Sequence, residues 1–232
     1  NRYTCVEIKN PQTSLDFEVV FLNGYNGYSK FLDFIRTSNE LRLFYSNGKD
    51  TKYAYVSFKS ITKTELQSNT IQSSLSLDKL SLWFNKVNYQ ISVNEDVKGK
   101  TFPFGYPHIY SSSYNGEIYV KNNGEVKAPL NIIIAGAVNN PRVDILDGDT
   151  IISSLKIMVK SDDCIITVNS DESDQFITIT ENGITKNAYQ MQDFSCDNFL
   201  FIDNGEKKIR FSPGVNAKTT CNIQLLEGYG GN

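Results

Sequence analysis

The groups able to do covalent or metal chemistry are few in this sequence and widely spaced. Its single histidine, His108, follows Pro107, and no G-x-S-x-G elbow nominates a serine to work with it. Cys5, Cys164, Cys196 and Cys221 stand singly with no C-x-x-C pair, which excludes ordinary zinc spacings and reads as free, buried thiols. Acidic residues cluster at Asp147-Gly148-Asp149, at Asp162-Asp163 and at Asp171-Glu172-Ser173-Asp174, but each cluster falls in a predicted turn and none has EF-hand spacing. Hydrolysis of a glycosidic bond needs only two facing carboxylates, and 26 acidic residues offer no particular pair. The glycines of the tail GYGGN stand at the chain end, so they open no phosphate-cradling helix. The expectation is a protein with no catalytic residue, no cofactor and no metal.

Aromatic residues are the remaining candidates. The chain carries 13 Tyr, 14 Phe and one Trp, Trp83, which suit cross-strand core pairs, stacking on sugar rings or an oligomer interface, and composition stops at that fork. With 40% hydrophobic and 21% charged residues, the 232-residue chain can bury a core as one large or two medium domains. A net charge of −3 and no basic stripe exclude a nucleic-acid footprint. No apolar run approaches the roughly 20 residues of a membrane span, and NRYTCVEIKN has no signal-peptide core.

The elements that must position these side chains are mostly strands. LDFEVVFL at 15–22 enters a core, Gly24 and Gly27 break the chain, and a helix follows in which Phe31, Leu32 and Ile35 share a face, starting near Ser29 and stopping at Ser38-Asn39. LRLFY, a Ser46-to-Asp50 turn and KYAYVSF form a hairpin. In TIQSSLSLDKLSLWF the apolar phase slips at Asp78-Lys79, which predicts a β-bulge. Residues 98–107, rich in proline and glycine, read as a linker between a domain at 1–97 and one at 108–232. Beyond it, short β-branched runs alternate with Asn-Gly and Asp-Gly turns, the cadence of an antiparallel sandwich. At its centre PLNIIIAGAVNNPRVDIL predicts a strand buried on both faces, a turn at Asn139-Asn140-Pro141, and a half-buried return strand.

The second half resembles the carboxy-terminal domain of phage distal tail proteins. The resemblance rests on Asn123-Gly124, the apolar strand led by Pro129 and ending at Gly136, the turn Asn140-Pro141, and Pro213-Gly214-Val215-Asn216 before the last strand. In the first half, the order of helix, LRLFY, charged hairpin, KYAYVSF and LSLWF is similar to the ring-forming domain of the same family. The resemblance implies a mainly β protein: an N-terminal ring-forming (belt) domain with one short helix, truncated at its start, and a C-terminal antiparallel sandwich of galectin-like fold. It also implies a structural role in the virion. Such proteins form a homo-oligomer, a hexameric ring at the phage tail tip, made in the host bacterial cytoplasm. The implied partners are the tail tube protein, the tail hub or tail-associated lysin, and receptor-binding proteins, with no nucleic acid and no membrane insertion. The alternative is a carbohydrate-binding sandwich recognising host cell-wall polysaccharide through loops after Asp147 and Asp171. A cell-wall hydrolase is a third and weaker possibility.

Overall fold

A computed structural model of the chain describes residues 13–93 and 115–230. His108, Cys5 and the expected linker at 98–107 lie outside the described residues. Packing divides the chain into one unit of residues 1–85 with 228–232 and a second of residues 86–227. The described residues are mostly antiparallel β-structure with one α-helix.

In the first unit β1 (Thr13–Phe21) leads into α1 (Gly24–Thr37), followed by β2 (Leu41–Ser46), β3 (Thr51–Lys63), β4 (Ile71–Lys79) and the start of β5 (Trp83–Val93). β4 pairs with β1 and with β3, and β3 also pairs with β2. Helix α1 begins five residues before the expected Ser29. Gly24 takes φ +51°, which turns the chain out of β1. Glycine weakens a helix interior by about 1 kcal/mol, but Tyr28 and Phe31 pack their rings on Phe21 at 5.5 and 5.4 Å and hold the first turns in place. The helix stops where Ser38 N–H donates to the Phe34 carbonyl. The β2–β3 turn is closed by Asn47 Oδ1, which accepts from the N–H groups of Lys49 and Asp50.

The expected bulge at Asp78-Lys79 is not there. β4 ends at Lys79, and the phase slip is the step to β5: Leu80 N–H donates to Tyr55 O, and Ser81 Oγ accepts from Tyr55 N–H. A bulge falls instead in β3, between Phe58 and Ser60.

The second unit holds the rest of β5, then β6 (Gly116–Asn122), β7 (Ala128–Asn139), β8 (Arg142–Asp147), β9 (Thr150–Lys156), β10 (Lys160–Asn169), β11 (Phe176–Glu181), β12 (Ile184–Asn187), β13 (Phe201–Ile202), β14 (Gly205–Ser212) and β15 (Thr219–Tyr229). One sheet runs β5-β15-β7-β10-β11-β12, with β13 against the start of β7, and the other runs β6-β14-β8-β9. Between them lies a core that includes Leu130, Ile132, Ile134, Val143, Ile145 and Phe211, all with at most 1% exposure. Each such side chain contributes about 1.5–3 kcal/mol by leaving water.

Two expectations about the central run need correction. β7 is buried on one face only, since Ile133 is 38% exposed between fully buried Ile132 and Ile134. β8 is not a return strand beside β7. It pairs with β14 and β9 in the other sheet, and Val143 to Leu146 are all buried. The Asn-Asn-Pro stop therefore carries the chain from one sheet to the other.

Candidate functional site: corner turns and an aromatic surface

The turn residues singled out in the sequence occupy positions that demand their types. Asn140 sits at φ +53°, and its N–H donates to Val159 O. Pro141, buried, follows, and its carbonyl accepts from Ile157 N–H. Gly214 has φ +75°, and a Cβ there would lie 1.8 Å from Asn139 O. Asn139 N–H in turn donates to Pro213 O at 2.8 Å. The structure thus brings Asn140-Pro141 and Pro213-Gly214 together at one corner, where the two sheets exchange chain.

Gly136 lies nearby at φ +122°, opposite the bulge of β10 between Ser161 and Cys164, and a Cβ on it would stand 2.7 Å from Lys218 O. Gly124 belongs to a different turn. Its N–H donates to Asn122 Oδ1 and its carbonyl accepts from Asn204 Nδ2, while buried Glu227 accepts from the N–H of Asn123. Pro129 is within β7, paired with Phe201 of β13. Asn216 is exposed after β14.

Asp162 and Asp163 lie within β10 and not in the expected turn, at the bulge that follows Ser161, while members of the other two acidic clusters make contacts within the unit. Asp147 pairs with Lys207 at 2.9 Å, and Asp149 lies 3.5 Å from Lys208. Asp171 accepts from Ser173, closing its own turn. Among the described residues no group of three or more His, Cys, Asp or Glu side chains stands close enough to hold a metal ion, and no helix is long and apolar enough to cross a membrane. Cys164, Cys196 and Cys221 are free thiols, and burial pushes that of Cys221 up to about 12. A strongly shifted carboxyl is that of Asp193, held at about 2 by the Ser195 hydroxyl and N–H and by Lys156. It fastens a surface loop to β9.

A different kind of site stands on the first unit. Phe44 packs on Tyr53 at 5.7 Å, Tyr53 contacts Tyr55 and Phe84, and the Arg42 guanidinium lies 5.1 Å from the Tyr55 ring. Tyr45, on the opposite face of β2, meets the edge of Trp83. Phe44 and Tyr45 remain 64% and 59% exposed, and Val20 on β1, Leu22 just after it and Phe34 on α1 are exposed as well. Rings combined with arginine are the composition of binding hot spots. Sequence reasoning placed contacts before residue 98 without naming these side chains. The signal available was the pair Phe44-Tyr45 itself, because neighbours in a strand face opposite ways and both rings cannot enter one core.

Residues 1–80 match the family described as distal tail protein, N-terminal domain. No curated protein matches the chain. Among solved structures, a chain of the phage P2 baseplate in its activated conformation with calcium is 18% identical, with a TM-score of 0.56 over 92% of this chain and 79% of that one. The distal tail protein of phage SPP1, from the hub adsorption apparatus of phages infecting Gram-positive bacteria, is 11% identical, with a TM-score of 0.61 over 94% of this chain and 78% of that one. At these identities the shared property is the fold. The family match falls on the first unit's strands and helix, whereas most of the turns that carry the resemblance lie in the second unit.

Proposed function

We infer that the chain is a distal tail protein and a structural part of a phage tail tip, a reading supported by the match of residues 1–80 to the N-terminal domain of that family and by the fold shared with phage baseplate and hub proteins over most of its length. In this reading it forms a hexameric ring that joins the tail tube to the hub and the host-adsorption apparatus. Contacts between subunits come from the region before residue 98, and the residues from 108 onward form a galectin-like sandwich that holds neighbouring tail-tip proteins. The corner at Asn140-Pro141 and Pro213-Gly214-Asn216, the separate turn at Gly124, and Pro129 and Gly136 within β7 keep the sandwich loops in place for that role.

The observation that carries the reading is the family match of the first unit together with its exposed aromatic and arginine surface. A connector works through faces and edges, and among the described residues β1 has only β4 beside it, which leaves its other edge for a neighbour. Light scattering on the purified chain tests this. A mass of about six subunits supports the ring, and a strict monomer at every concentration, with or without the neighbouring tail proteins, overturns it.

A further inference from the structure

The second unit carries a groove of about 470 Å³ on the face of its larger sheet that points away from the core. Asn88 and Gln90 reach it from β5, Asn131 and Ile133 from β7, and Asn222 and Gln224 from β15. The register sets Asn131 beside Gln224 and Ile133 beside Asn222. Gln224 Nε2 donates to Asn88 Oδ1 at 2.9 Å, so each of these two carboxamides keeps a polar atom with no other partner among the described residues. Asn131 Oδ1 is shielded from solvent and accepts no hydrogen bond among the described residues.

We propose that this groove binds a neutral saccharide. Each carboxamide donates and accepts through one planar group, which matches a hydroxyl pair that must do both. Strands about 4.8 Å apart place these groups at the separation of non-adjacent hydroxyls on one sugar ring. The exposed Ile133 supplies an apolar patch for the C–H face of that ring. Among the described residues no charged side chain lines the groove, so these offer nothing to pair with a phosphate or a metal ion. A peptide strand would seek unpaired backbone groups, and β7 is already bonded on both sides, to β10 and to β15. The volume falls within the roughly 300–1,000 Å³ of small-molecule sites. The site is on the sheet face, not in the loops after Asp147 and Asp171, whose carboxylates are engaged locally.

The proposal does not rest on the ring reading, since saccharide binding and oligomer mass are read by separate measurements, although Asn88 and Gln90 lie before residue 98. Its test is calorimetric titration of the full chain with a panel of neutral mono- and oligosaccharides, with sodium phosphate and calcium chloride as charged controls. Hydrogen–deuterium exchange then locates the site. The expected result is binding of at least one saccharide, with protection in β5, β7 and β15, and a loss of about tenfold or more, as the removal of a good hydrogen-bonding partner gives, in Gln224→Leu and in Asn222→Leu. Asn88→Ala, at an exposed position, carries the same expectation should a leucine variant unfold. No binding across the panel, phosphate binding as tightly as sugar, protection elsewhere, or variants that bind like the parent would each overturn it.

Discussion

Gly214 and Gly183 share almost the same backbone, at φ +75° and +77°, yet their surroundings differ. A Cβ on Gly183 meets nothing within 4 Å, whereas one on Gly214 meets Asn139 O at 1.8 Å. Gly183→Ala is expected to cost only the left-handed strain, about 1–2 kcal/mol. Gly214→Ala must also push the corner apart, for a total of about 3 kcal/mol or more. Urea midpoints compare the two directly, and equal losses would show that the corner yields freely. Asp193 gives the residue scale a pH signature. Its carboxyl falls from the ordinary 3.8 to about 2 in the folded chain, so its contribution is complete above the unfolded value and declines as pH drops through that window toward the folded one. Asp193→Asn should therefore lower stability at neutral pH while flattening its fall between those two values. A parallel offset at all pH would mean that the carboxylate acts only through packing.

At the scale of elements, β7 shows where pattern reading succeeds and where it stops. Three isoleucines in a row identify the strand and its place near the core, but they cannot say which face is solvated, because period-2 alternation is lost when both faces carry the same side chain. Ile132 is fully buried and Ile133 is 38% exposed. Ile132→Ala is expected to cost about 2–5 kcal/mol and Ile133→Ala under about 1 kcal/mol, read from thermal or urea unfolding; similar losses would mean that the outer face is covered in solution. Other elements behaved likewise. Asn47 and Gly48 announced their turn because its chemistry is local. The start of α1 did not show, because Gly24 and Gly27 read as breakers and the compensating Phe21 contacts come from β1. The step from β4 to β5 read as a bulge, since an apolar phase slip is the same whether a strand kinks or ends. Turn residues such as Asn140 and Gly214 were legible by type, while their meeting at one corner was not, being a contact between distant parts of the chain.

At the scale of the whole molecule the two units differ in how completely they satisfy their own apolar surface. Among the described residues the second encloses one large cluster of buried apolar side chains, whereas the buried apolar side chains of the first are Phe21, Tyr53, Ala54, Val56, Ile71, Leu75 and Leu77. Large rings stay outside, at Phe34, Phe44 and Tyr45. A domain with so modest an interior gains most from covering that surface with another chain, and a stable contact shields about 800 Å² on each partner. Aromatic hot spots typically cost 2 kcal/mol or more each when truncated, or roughly thirtyfold in affinity. Phe44→Ser combined with Tyr45→Ser is therefore expected to move the assembly toward smaller masses at fixed concentration. The thermal transition of the second unit should stay where it is, because both side chains belong to the first. Light scattering across a dilution series reads the change. Under the proposed ring, an unaltered dissociation profile would remove β2 from the contact and leave the β1 edge, with Val20, as the candidate surface between subunits.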